Sequence, residues 1–185
     1  MNLNQLVIRP TNKQDFDQII DIEKRAFGRK SEAELTAGIL NDKTAEPIVS
    51  LLALHQRKPV GHILFSRGYI ENMNTEQLLF HFLAPLAVVP EYQKQEIGGQ
   101  LIKAGLQHLK DMRSKMVFLL GHIEYYPKFG FITDARIHGY HTIHPIPEKV
   151  KDAWMFLSLT GEKYPIEKGK VLCCEEMNKP EHWQE

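Results

Sequence analysis

Apolar side chains recur along this chain with two periods, and the points where the period changes mark its elements. Residues 5–9 (QLVIR) are rich in β-branched and aliphatic positions and predict a short first strand, stopped by Pro10. Thr11 and Gln14 give a T-x-x-Q capping pattern. Phe16, Ile19, Ile20, Ile22, Ala26 and Phe27 then recur at roughly helical spacing, which predicts an amphipathic helix to about Phe27, ended by Gly28. Ser31 and Glu34 repeat the capping pattern and open a second helix through Leu35 and Ile39 to Leu40.

Three strand-like runs follow. Residues 47–55 and 60–70 are separated by the polar link Gln56-Arg57-Lys58-Pro59, which predicts a hairpin. Residues 72–76 read as a polar turn. Residues 78–89 lack clean alternation, the mark of a strand covered on both faces. Ile97, Leu101, Ile102, Gly105, Leu106 and Leu109 form a helix stripe, and residues 116–120 (MVFLL) a compact buried strand. A short helical segment over residues 124–129 ends at Gly130. Residues 139–144, 153–159 and 170–174 are further strand-like runs. With no repeat, low-complexity tract or linker, the pattern predicts one mixed α/β domain over residues 1–185.

Composition narrows the class. The 185 residues are 43% apolar and 25% charged, the balance of a globular chain with a real core. Lys plus Arg equals Asp plus Glu at 23 each, which gives no basic surplus for general nucleic-acid binding. No apolar run approaches a membrane span, and the first residues, MNLNQLVIRP, lack the pattern of a secretory signal. The two cysteines, Cys173 and Cys174, are adjacent and poorly placed for a structural disulfide, so a reduced, cytoplasmic setting is expected.

Chemistry concentrates between the buried run and the helix stripe, in residues 90–101 (PEYQKQEIGGQL). The first N–H groups of a helix lack intrahelical partners and carry its positive dipole end. Gly98 and Gly99 have no side chains to keep a pyrophosphate from that backbone. The same turn serves equally as a tight strand-to-helix connection. Upstream stands LAPLAVVPEYQ (residues 83–93), and downstream GHIEYYPKFGF (residues 121–131). Taken together, the three motifs resemble the GNAT superfamily of N-acetyltransferases, most closely its small bacterial YhbS-type branch. That branch reads roughly L-x-P-L-A-V-x-P-x-Y-Q-x-x-G-I-G, then a strand ending in Leu-Gly, then Y-Y-x-x-F-G-F.

The resemblance implies a mixed, mostly antiparallel sheet with a central splayed strand pair and flanking helices. It implies acetyl-coenzyme A as donor and an amine as acceptor, without metal, nucleic acid or membrane. Leu86, Ala87 and Val88 would offer backbone groups to the pantetheine arm. Gln93 matches the first position of the family's phosphate loop, and Lys94, Gln95, Glu96, Ile97, Gly98 and Gly99 would present N–H groups to the pyrophosphate. Tyr126 matches the tyrosine that protonates the departing thiolate, a task that suits a phenol protonated at neutral pH. Packing in an aromatic cluster with Tyr125, Phe129 and Phe131 is the alternative role for it.

A protonated amine cannot attack a thioester, so a base is needed. Three candidates are His81 on the buried run, His122 after the next strand, and Glu23 in the first helix, where an acid is most simply solvated. Glu96 departs from the family pattern, which commonly has Gly there. At about 6 Å from a phosphate and an effective dielectric of about 20–80, its charge would cost about 0.7–3 kcal/mol. That is about threefold to a hundredfold in affinity. Lys94 and Lys103 are placed to offset it, and an outward-turned carboxylate at the helix start would be favourable. Glu96 therefore also admits a non-catalytic acyl-coenzyme A sensor or interaction module. His138, His141 and His144 form H-x-x-H-x-x-H, but an extended segment would send residues three apart to opposite faces, so no metal site is expected. The acceptor is left open among aminoglycosides, polyamines, amino acids and protein amines, and so is oligomeric state, homodimer included.

Overall fold

The computed structural model describes residues 5–72 and 78–183; most of the polar turn expected at residues 72–76 lies outside them. Strand β1 (Leu6–Pro10) leads to helices α1 (Phe16–Phe27) and α2 (Ser31–Asn41). Strands β2 (Val49–His55), β3 (Lys58–Arg67), β4 (Tyr69–Ile70) and β5 (His81–Val88) follow, then helix α3 (Ile97–Asp111) and strand β6 (Met116–Leu120). The chain closes with β7 (Tyr140–Thr142), β8 (Trp154–Ser158) and β9 (Gly169–Leu172).

Several local expectations are corrected. The first capping box belongs to Asn12 and Asp15: Gln14 N–H donates to Asn12 Oδ1 at 2.8 Å, and Asn12 N–H to Asp15 Oδ2 at 2.8 Å. Arg9 pins Asp15 there with two 2.7 Å hydrogen bonds, while Thr11 donates instead to Ser50 Oγ. Ser31 lies inside α2 rather than before it, and its hydroxyl donates to the Glu32 side chain. The four-residue link shrinks to two. Gln56 and Arg57 both take positive φ (51° and 66°), and Lys58 already pairs with His55; such a turn matches the twist of its strands. The expected run 60–70 divides at Gly68, where a side chain would overlap the Phe80 ring. Beyond it, β4 joins a small second sheet in the order β4-β9-β7 that the sequence pattern did not predict.

The main sheet runs β1-β2-β3-β5-β6-β8, antiparallel except for the β5–β6 pair. This is the mixed, mostly antiparallel architecture expected. A Cβ on Gly61 would lie 3.1 Å from Leu101 of α3, whereas the next residue, His62, hydrogen-bonds Glu23 of α1. Alternation along β3 therefore sets α1 and α3 on opposite faces. β5 is covered from both sides and contributes Phe82, Leu83 and Ala87 to the core at 1–3% exposure, which accounts for its unbroken apolar run.

Candidate active site

The parallel pair β5–β6 is short. His81 aligns with Val117 and Phe82 with Phe118, and the register ends there. On its other side β5 stays paired to β3, through a bulge: two steps along β3, from Ile63 to Phe65, match three along β5, from Leu86 to Leu83. The extra residue bends β5 away from β6. A cavity of 1180 Å³ opens between the two strands. Its walls are β5, the first turn of α3 with the loop before it, and the segment from Leu120 to Tyr126, with Phe27, Glu32 and Leu35 of α1 and α2 across from them.

Of the expected cofactor contacts, Leu86, Val88, Gln93, Lys94, Glu96, Ile97, Gly98 and Tyr126 line this cavity. Ala87, Gln95 and Gly99 do not. Ala87 pairs with His62 and is buried at 1% exposure. The Gln95 side chain donates to Glu91 O at 3.0 Å. Gly99 faces Phe129, whose ring would lie 3.3 Å from an added Cβ. Gln93 Nε2 donates to Val88 O at 3.0 Å, so that carbonyl already has a partner and the loop is tied to the strand. Lys103 does not line the cavity, but Lys128 does. The spacing of Lys128 two residues after Tyr126 would have been its signal.

Glu96 takes φ 66° and ψ 2°, the left-handed conformation, directly before α3. Lys94, two residues earlier, is also left-handed at φ 58°. A glycine holds such a backbone without penalty. The Glu96 side chain is exposed and makes no cap hydrogen bond, so the first-turn N–H groups have no side-chain cap, and Ile97 and Gly98 of that turn line the cavity. Gly98 is packed against Tyr125, whose hydroxyl would lie 2.7 Å from an added Cβ.

Tyr126 enters from the other side. Gly121 leaves room for its ring, which a Cβ there would overlap. The ring makes edge contacts with Tyr125 (5.3 Å) and Phe131 (5.8 Å) and is 9% exposed. Burial, with the neighbouring Tyr125 second, pushes its pKa well above the usual phenol value, so the hydroxyl stays protonated across the neutral range. His122 is exposed and lines the same cavity, and its carbonyl accepts the N–H of Tyr125 at 3.0 Å.

The other two base candidates lie elsewhere. His81 is fully buried, and its Nε2–H donates to Pro47 O at 3.1 Å. Nδ1 then accepts from Ser114 Oγ at 2.8 Å. Burial lowers its pKa to about 4. Glu23 is not a solvated helix acid. It is completely buried, with Oε1 2.7 Å from His62 Nδ1, while Oε2 has no hydrogen-bond partner. His62 Nε2 continues to Ser50 Oγ at 2.9 Å. Desolvation raises the Glu23 pKa against the opposing pull of His62. No sequence pattern marked His62, because its partner lies 39 residues away.

The remaining motifs are taken up by packing. His138 Nδ1 meets Tyr164 Oη at 2.8 Å, His144 Nε2–H donates to Asn178 O at 2.7 Å, and Cys173 and Cys174 are buried free thiols. Among the described residues no helix is long and apolar enough to cross a membrane.

Comparison with known proteins agrees with this geometry. The family model for the acetyltransferase (GNAT) domain matches residues 7–133. YjhQ of Escherichia coli K12, an uncharacterized N-acetyltransferase, is 43% identical over 175 residues, covering 95% of this chain and 96% of that one. The uncharacterized N-acetyltransferase YhbS of the same strain is 28% identical over 127 residues, 68% of this chain and 73% of its own. The crystal structure of Escherichia coli YhbS in complex with CoA superposes with a TM-score of 0.83 at 24% identity, covering 95% and 93% of the two chains. A GNAT family acetyltransferase from Brucella melitensis in complex with acetyl-CoA gives 0.73, also at 24%, covering 93% and 97%. The chain belongs to the GNAT acetyltransferase family.

Proposed function

We propose that the protein is an acetyl-CoA-dependent N-acetyltransferase that acts on a primary amine by direct attack. The observation that carries this reading is the splayed β5–β6 gap, with Tyr126 on one wall and the open first turn of α3 at its mouth. Past Phe82, among the described residues, no strand pairs with the edge of β5 facing the gap, so peptide groups there other than the Val88 carbonyl, which Gln93 holds, can pair with the amides of a pantetheine arm. The first-turn N–H groups, with Lys94 and Lys128 beside them, suit a pyrophosphate. Relatives solved with CoA and with acetyl-CoA support the same substrate.

In the transfer, the amine forms a C–N bond to the acetyl carbonyl carbon and the C–S bond breaks. Tyr126 gives its phenolic proton to the departing sulfur and regains one from solvent. His122 is the imidazole on the cleft wall; it takes one proton from the acceptor ammonium, and the second proton that the nitrogen sheds after attack passes to solvent. His81 and Glu23 act through the fold, since neither lines the cleft.

Titration calorimetry with acetyl-CoA tests the substrate; no heat at millimolar concentration rejects it. Tyr126→Phe should lower thiol release by about 100-fold or more, the range of general-acid catalysis, with acetyl-CoA affinity unchanged. An unchanged rate removes Tyr126 from the mechanism. The left-handed Glu96 favours a second reading, a non-catalytic binder on this fold. It takes precedence if acetyl-CoA binds and no amine in a broad panel releases thiol.

A further inference from the structure

The cleft continues past the point where β5 and β6 part. A smaller cavity of 220 Å³ adjoins it, and Leu35, Leu83, Ala84 and Leu120 wall both. Its far side is aromatic. Trp154 (0% exposed) and Trp183 (7%) stand with ring centroids 6.3 Å apart at 62°. Neither indole N–H is available to a ligand: Trp154 donates to Tyr140 O at 2.9 Å, and Trp183 to Met177 O at 2.8 Å. Trp183, the more exposed of the two, presents ring carbon to the space, while Trp154, stacked on Phe82 and Phe118, closes the wall. Ile146 and Val150 close it from the segment before β8. No lysine, arginine or carboxylate side chain lines it, and its one titratable group is the imidazole of His182.

Such a pocket rejects polyols and polycations, because each buried polar group left unpaired costs free energy. Its size sets a second limit. Water occupies about 30 Å³, so the cavity has the volume of about seven waters, enough for one ring on a short linker.

We propose that this pocket receives the substituent of the acceptor, and that the acceptor is a primary amine carrying a single aromatic or compact apolar group. With the ring against Trp183, the nitrogen stands at the shared mouth between Ala84 and Leu120, facing the cleft. The assignment rests on the acetyltransferase reading.

The test is thiol release from acetyl-CoA with phenethylamine, spermidine and glucosamine as acceptors. Phenethylamine should exceed the other two in kcat/KM by about tenfold or more, since apolar pockets discriminate by that order. Val150→Trp, and independently Ile146→Trp should the first variant fail to fold, would fill the pocket. Either should raise the KM for phenethylamine about tenfold and leave acetyl-CoA affinity, read by calorimetry, unchanged. Preference for spermidine or glucosamine overturns the pocket assignment while leaving the acetyltransferase reading intact. So does a filled pocket that changes the preferred acyl length of the donor rather than the acceptor KM. Absence of acetyl-CoA binding overturns both.

Discussion

Glu96 carries a carboxylate on a backbone that a side chain disfavours, at φ 66°. Replacing it with Gly relieves about 0.5–1 kcal/mol of strain, net of the extra freedom glycine has in the unfolded chain. It also removes a negative charge beside the turn proposed to face the phosphates. Glu96→Gly is expected to raise the melting temperature by a few degrees and to tighten acetyl-CoA binding about threefold. That is the low end of the electrostatic range, because the side chain is exposed and screened. Calorimetry on both variants measures it; an unchanged affinity means the carboxylate points away from the phosphates. His81 gives a prediction of the opposite kind. Its folded pKa is lowered to about 4 from 6.5 by burial, so the unfolded chain binds more protons between those values. Its contribution is complete above about pH 6.5 and is lost as pH falls toward 4, up to about 3 kcal/mol. His81→Gln should flatten that part of the stability profile in urea unfolding; an unaltered profile rejects the assignment.

At the scale of elements, most of what the periodicity predicted is present, and the departures have local causes. The helices α1 and α3 stand where their apolar stripes put them. Gly105, inside the α3 stripe, is there because a Cβ would overlap the Phe65 ring, which is fully buried and has nowhere to move. Gly105→Ala is expected to cost about 1–3 kcal/mol, the usual penalty of overpacking, even though alanine is the better helix former. Denaturant unfolding measures it, and a neutral or stabilising result would mean that α3 can shift on the sheet. The first capping box sits one residue later than expected, because T-x-x-Q and N-x-x-D overlap there, and the second does not form, since the N-cap of α2 is Lys30 with no side-chain cap. Long-range partners decided the outcome at the first, where Arg9 claims Asp15 and Ser50 claims Thr11. The division at Gly68 follows from Phe80, twelve residues on, which no local reading weighs.

For the molecule as a whole, the cleft exists because β5 and β6 pair over two residues and then part. A ligand that fills such a gap joins two halves of the sheet. Acetyl-CoA at about 100 times its dissociation constant should stabilise the fold by about 2.7 kcal/mol, or about 5–10 °C for a chain of this size. Thermal unfolding with and without the ligand checks this, and no shift at saturation would contradict binding to the folded state. By itself, the sequence determined the order of the elements, the apolar stripes and the three motifs over residues 83–131, because these are written in local spacing. Tertiary structure alone decided which candidates face the cleft. Tyr126 and His122 arrive there on the segment that follows β6. His81 and Glu23 are turned into the interior, His81 held by Pro47 and Ser114 and Glu23 by His62 through Oε1 alone. The physical reason is that a side chain's surroundings depend on register and strand alternation between segments far apart in the chain, and a linear pattern does not contain them.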